Sequence, residues 1–415
     1  MKLLIGLAFA GAFVGPDGPS DWPTWRGPNR DGLSSETGLL KQWATEGPPL
    51  AWKSAGIGRG YSSVSVYGSR LFTMGDVSEV CTLIAMNVAD GKVAWTASVG
   101  RPHNDEQYPG PRSTPSSDGT IVVALGPAGE LVCVEAATGK ERWRKDLPKE
   151  FGGKAGGWKY SESPLLDGDH VVVTAGGKQG TVLALKKESG EKVWQSAEFT
   201  DGAEYSSLVP VEIGGVRQYL TLTKPHIAGI AAKDGKLLWK ADRPLAAKTP
   251  AVVPTPIYQD GIVFTTSGYG VGCNAFKITS EGDGFKAEEV YAGKQVQSIH
   301  GGVIRVGEHL YLLDDSGNFK CVEMKSGKEI WRDKCVASAG SIAYADGHFV
   351  CRSERGKGRG VVALVEATPQ GYKEKGRFVP PDQSDKSSWS HPVIAGGKLY
   401  LRDQDVLLCY DIKAK

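Results

Sequence analysis

Five side chains stand out as candidates for chemistry: Arg112, Glu162, His300, Trp389 and His391. Each lies close to a Ser-, Thr- or Pro-marked start of an extended segment, a position from which a rigid element presents a loop residue. Glu162 is the only carboxylate of the five. Base catalysis beside a hard cation needs a carboxylate as base and about six to eight oxygens around the ion. One glutamate without a visible partner does not amount to such a constellation. His300 sits in Gln297-Ser-Ile-His-Gly-Gly302, where glycines permit close backbone approach, and hydrogen bonding is the expectation for it. The five are read as ligand- or partner-binding candidates, with no catalytic residue and no metal ligand assigned.

Other signatures of chemistry are scarce in the sequence. No G-x-S-x-G, phosphate-loop or H-E-x-x-H motif occurs. The seven cysteines include no C-x-x-C and no His/Cys pair at zinc spacing. Seven is odd, so not all can pair within one chain. A single disulfide among Cys81, Cys273, Cys335 and Cys351 stays open.

The elements that must position these residues are written as a repeat. Its copies are Leu83–Trp95 (LIAMNVADGKVAW), Leu131–Trp143, Val182–Trp194, Ile227–Trp239 and Phe319–Trp331, each with Gly four residues before Trp. The polar-Gly turn demands φ > 0 at the glycine and so marks a hairpin. Successive tryptophans are 48, 51, 45 and 92 residues apart, and the last gap holds a degenerate copy from Cys273 to Val290-Tyr291. A weak copy runs from Val361 to about Phe378, and an eighth starts at Val406 and reaches the C-terminus before its Trp. Pro49-Leu-Ala-Trp52-Lys supplies the missing Trp strand.

Eight opening strand pairs, beginning at Tyr61, Ser113, Ser161, Tyr205, Thr255, Ser298, Ser338 and Ser390, complete four strands per period. The expectation is an all-β, eight-bladed β-propeller of four-stranded antiparallel blades. The N-terminal strand joins the C-terminal blade and removes the free edges. The third motif position is always small: Ala85, Cys133, Ala184, Gly229, Ala275, Cys321, Ala363 and Cys409. Its cysteines are therefore buried space-fillers. Trp52, Trp95, Trp143, Trp194, Trp239 and Trp331 are read as structural, each packing on the neighbouring blade.

With the motif written A-x-x-x-x-[DTS]-G-K-x-x-W, the chain resembles the quinoprotein (PQQ-like) propeller repeat family over about residues 50–415. The stretch Asp21-Trp-Pro-Thr-Trp-Arg-Gly-Pro-Asn-Arg-Asp-Gly32 looks like the opening segment of exported members. One branch of the family holds pyrroloquinoline quinone (PQQ) and Ca²⁺ at the centre of the ring and oxidises alcohols or sugars. Another, BamB-like, keeps the propeller without the cofactor. This chain has no adjacent Cys-Cys pair and no C-x-x-C-H, and it is short for the loops that wall a quinone. Its first cysteine is Cys81, so no N-terminal cysteine is seen to carry a lipid anchor. The resemblance implies the fold and a binding role, with no cofactor. PQQ with calcium is the alternative.

Lys2 followed by the apolar run Leu3–Val14 and the turn-rich Gly15–Ser20 fits an export leader. The expected organisation is a signal peptide at 1–20, an N-terminal extension at 21–48 and the propeller at 49–415. The location follows as exported, periplasmic or extracellular. Lys+Arg number 49 and Asp+Glu 47, a net charge of +2, which gives no pull toward nucleic acid. The basic cluster Arg352–Arg359 reads as an exposed loop. Arg101–Arg112 and Phe151–Tyr160 are longer than the repeat requires, and Phe378–Trp389 is taken together with them. They are the expected surface for envelope proteins or peptides on a monomeric, non-catalytic scaffold. The competing expectation is a small PQQ-dependent alcohol or sugar dehydrogenase.

Overall fold

The computed structural model describes residues 21–414 apart from 283; the leader expected at 1–20 lies outside them. Eight antiparallel four-stranded sheets form the propeller, and one of them carries an additional strand. Blade 1 runs from Ser65–Tyr67 through Arg70–Val77 and Val80–Asn87 to Val93–Gly100, and the following blades repeat this order. Middle strands are covered on both faces by neighbouring blades, so a strand such as Ile121–Leu125 (IVVAL) is buried throughout and reads as an unbroken apolar run. Outermost strands meet solvent. Glu141–Asp146 buries Trp143 among exposed neighbours.

The repeat residues have one shared geometry. The small third position faces the Trp slot across the strand pair: Ala85 opposite Trp95, Cys133 opposite Trp143, Ala184 opposite Trp194, Cys321 opposite Trp331 and Cys409 opposite Trp52. A bulge beside each pair turns the indole toward the next blade. There its N–H donates to the carbonyl three residues before that blade's turn glycine. Trp52 reaches Val88, Trp95 reaches Ala136, Trp143 reaches Lys187 (2.8 Å), Trp194 reaches Ala232 and Trp331 reaches Thr368. In blade 5 Tyr291 replaces Trp and donates to Met324 at 2.7 Å.

Trp239 departs from the pattern. Its indole packs among blade 5 residues such as Val263 and Phe276, but its N–H turns back to Gln218 Oε1 of its own blade. Blade 5 carries a long hairpin, Gly272–Glu281 and Gly284–Gly293, where its neighbours have the short glycine turn. The usual acceptor carbonyl is therefore missing. All seven cysteines are buried free thiols.

The ring closes where expected. Leu50–Ala55 pairs with Val406–Asp411, so the last blade takes one strand from the start of the chain and three from its end. Arg402, fully buried, rivets this blade to blade 1. It donates to the carbonyls of Ser62, Met74 and Gly58 and to Thr73 Oγ1. Arg352 does the same between blades 7 and 8 through the carbonyls of Ser390 and Arg402. Arg352 is thus a buried structural cation, which corrects the reading of Arg352–Arg359 as wholly exposed.

The innermost strands begin two to five residues later than the Ser, Thr and Tyr markers suggest. Residues one or two places after the markers bond across to the next blade. Ser63 N–H donates to Thr114 Oγ1, Thr114 N–H to Ser163 Oγ (2.9 Å) and Ser163 N–H to Ser207 Oγ (3.0 Å).

The extension takes a course that nothing in the repeat foretells. Residues 22–34 cross one end of the ring and touch every blade. Trp22 pairs with Val66, Pro23 accepts from Ser117, and Thr24 bonds Ser116. Trp25 reaches Thr255 and packs on His391 at 4.5 Å. Arg26 donates to Val303, and Arg30 to the carbonyls of Ser163 and Leu208 at 2.8 Å. Leu33–Ser34 then adds to blade 7 as a parallel strand beside Gly340–Ala345. The central channel is therefore closed at this end.

Candidate functional site

Above the plug lies a cavity of about 370 Å³ with Trp25 at its base. Its wall is built from the axis-facing residues of the inner belt and from the three long loops. Tyr61 and Tyr205 come from two Tyr-Ser-Ser openings, at 61–63 and 205–207. Tyr108, Trp158 and Trp389 come one each from Arg101–Arg112, Phe151–Tyr160 and Phe378–Trp389.

Each loop is pinned by local bonds. Asp105 Oδ1 accepts from Gln107 and Tyr108 N–H, making the turn that presents Tyr108. The short helix Leu147–Phe151, capped by Asp146 and ended by Gly152 at φ 63°, delivers the glycine-rich loop. Tyr205 Oη then accepts from Trp158 N–H at 2.9 Å. A Cβ on Gly156 would come within 2.6 Å of that hydroxyl, so a larger residue there would push the Tyr205 ring aside. Ser388 is held by the Glu354 carbonyl and Asp403, which fixes Trp389.

Trp389 is the hub of the rings. It stacks on Tyr108 at 4.9 Å and lies 4.5 Å from Tyr61 and 4.6 Å from His300. Trp158 meets Tyr108 edge-on at 5.5 Å. Of the five candidates, Arg112, His300, Trp389 and His391 line this cavity together. Glu162 does not. It is 1% exposed and accepts from Thr174 N–H and Oγ1–H within its own blade. Burial pushes its carboxyl up to about 7, against those two bonds and Arg30.

His391 donates from Nε2 to the His300 carbonyl at 3.0 Å. Burial, with Arg26 next in weight, depresses its pKa to about 3, so it is a neutral wall residue. His300 faces the buried Glu354 through Nδ1 at 3.0 Å, and Arg355 lies 3.6 Å from the same carboxylate. Burial opposes ionisation of Glu354, but these two partners outweigh it and hold the carboxyl below its usual range. Glu354 had no signal of its own in the sequence, because it sits in a cluster that reads as a basic loop. Trp25 had none either, since nothing local says that the extension folds under the ring.

Donor chemistry tests the calcium–quinone alternative. The cavity lining offers hydroxyls, the Gln107 amide and two arginines, with no Asp, Glu or Asn. A calcium ion bound by about six to eight oxygens, several of them anionic, is not matched by that set. Among the described residues no cluster of three or more His, Cys, Asp or Glu is placed to hold a metal. The lining does not fit PQQ with Ca²⁺.

A family described as outer membrane protein assembly factor BamB matches residues 79–333. The chain belongs to the BamB family. BamB of Xanthomonas campestris pv. campestris is 26% identical over 238 residues, which cover 57% of this chain and 51% of that protein. BamB of Shewanella oneidensis is 25% identical over 252 residues, covering 59% and 61% respectively. The matches thus span between half and three-fifths of these relatives' lengths. Among solved structures, BamB from Moraxella catarrhalis superposes with a TM-score of 0.59 at 14% identity, over 85% of this chain and 95% of that one. Quinohemoprotein alcohol dehydrogenase from Comamonas testosteroni superposes with a TM-score of 0.50 at 11% identity, over 95% and 81%. At these identities both show the propeller fold alone.

Proposed function

We propose that this chain is a non-catalytic propeller that binds protein or peptide partners in the cell envelope through the aromatic cavity and its three loops. Residues 1–20 act as the export leader, and 21–48 form the N-terminal extension of the mature protein, with the plug in it. The observation that carries the reading is the convergence of Tyr108, Trp158 and Trp389, from three separate loops, around a wall that holds no carboxylate. Loops held on a rigid ring are suited to recognition, and a mostly apolar concavity with a few fixed polar groups is suited to holding a ligand. The relatives carrying the name outer membrane protein assembly factor support an envelope role. Among the described residues no helix is long and apolar enough to cross a membrane.

The test is photo-crosslinking in growing cells, with a benzophenone side chain at Gln107 on the mouth or at Asn29 below the plug. Discrete protein adducts are expected from Gln107 and lost with Trp389→Ala, with none from Asn29. Equal labelling from both positions, or none from Gln107, overturns the reading. Stoichiometric binding of PQQ and Ca²⁺ with dye reduction by alcohols or sugars would also overturn it, in favour of the oxidoreductase.

A further inference from the structure

The cavity wall contains one charge that the protein leaves uncompensated. Arg112 lies over the Tyr61 ring at 5.7 Å, and its Nη2 donates to the Tyr108 carbonyl at 2.9 Å. Its Nη1 makes a long contact of 3.4 Å to the Trp158 carbonyl. These bonds fix the guanidinium between the two loops without neutralising it. Asp105 and Asp76 act on Arg112 only at a distance, and no carboxylate among the described residues reaches it as an ion pair. Arg355, the other arginine of the wall, lies 3.6 Å from the Glu354 carboxylate behind it and is compensated there. The interior field is therefore that of one half-buried arginine among aromatic rings. Its unused N–H groups are suited to a carboxylate.

We propose that the partner enters as a peptide segment that places a carboxylate on Arg112 and an adjacent aromatic or apolar side chain against Trp389 and Tyr108. This rests on the binding reading above and names the chemistry of the occupant. The surroundings favour a peptide over a polyanion. Nucleic acid needs a row of cations along its phosphates, whereas among the described residues this wall offers Arg112 as its one cation without an ion-pair partner, on a chain of net charge +2. A volume of about 370 Å³ lies within the range of pockets that hold small ligands, and it accommodates a short run of side chains. Trp158 and Tyr269, 39% and 45% exposed, extend the apolar surface outward along the path such a segment would follow.

The experiment titrates the intact mature protein with three blocked hexapeptides, read by tryptophan fluorescence and by calorimetry. One alternates phenylalanine with aspartate, one with asparagine and one with lysine. The aspartate peptide should bind at least about tenfold tighter than the asparagine peptide, the scale of a charge-assisted hydrogen bond. The lysine peptide should bind weakest. Arg112→Gln should bring the aspartate and asparagine peptides to equal affinity, and Arg112→Lys should keep part of the preference. Trp389→Ala should weaken all three alike. If the Arg112 variants unfold, salt serves instead, and the preference of the unaltered protein should shrink between about 50 mM and about 500 mM NaCl. Equal affinity for the aspartate and asparagine peptides overturns the carboxylate inference while leaving the crosslinks at Gln107 untouched. Binding of none of the peptides alongside intact crosslinks overturns it as well. Loss of the crosslinks themselves removes the broader reading.

Discussion

His391 and Glu162 make opposite demands on pH. His391 is buried and neutral, its pKa depressed from 6.5 to about 3. Its contribution to stability is full above pH 6.5 and is lost as pH falls toward about 3, because only the unfolded chain takes the proton in that window. Glu162 is raised from 4.5 to about 7. Its contribution is full below 4.5 and is lost as pH rises through about 7. Thermal unfolding of His391→Gln and Glu162→Gln should expose both slopes. The advantage of the unaltered protein over His391→Gln should shrink as pH drops from 6.5 toward 4. Its advantage over Glu162→Gln should shrink as pH rises from 4.5 to 7. Differences that stay flat with pH would contradict this assignment of buried charge states. The candidate site was legible at this scale only where loop position alone decided it. Arg112, His300, Trp389 and His391 follow from standing where strands open. Glu162 stands at such a position too, yet its side chain turns the other way into the blade, a choice made by Thr174.

At the scale of the blade, the unit of stability is an indole laid on the next blade's turn glycine. Gly190 has φ 70°, and a Cβ there would come within 2.8 Å of the Trp143 ring. Glycine thus serves the turn and the contact at once. Trp143→Ala should cost about 3–5 kcal/mol by leaving a cavity and an unpaired Lys187 carbonyl. Gly190→Ala should cost at least about 1 kcal/mol through backbone strain alone. The two losses should fall short of additivity in the double variant, because without the indole the added Cβ no longer clashes with it. Urea unfolding of the three proteins measures this, and strict additivity would show that ring and glycine act separately. The repeat was readable because each of its positions obeys a local rule: a turn, a small residue opposite Trp, an apolar run. Blade 5 was hard to read because Tyr291 and a long hairpin replace Trp and the short turn, while the packing role is preserved.

At the scale of the molecule, the ring depends on the strand Leu50–Ala55. Removing it would expose the edge of Val406–Asp411 and strip the last blade of its Trp. Exposed edges pair with other chains. Deletion of residues 50–55 should therefore yield a less stable product that self-associates, seen by light scattering after size exclusion. An equally stable monomer would refute closure by this strand. The plug is a separate matter. Arg26 and Arg30 bond to carbonyls of blades 6, 3 and 4, contacts with no trace in the repeat.

The sequence by itself determined the number of blades, the closing strand, the structural tryptophans and the space-filling cysteines. Each of these follows from short-range periodicity and from the turn chemistry of glycine. Only the tertiary structure decided that the extension seals the axis, that Glu354 pairs with His300, and that three distant loops bring their aromatic rings together over Arg112. Those contacts join residues up to hundreds of positions apart, and no local propensity encodes a meeting that exists only once the ring has closed.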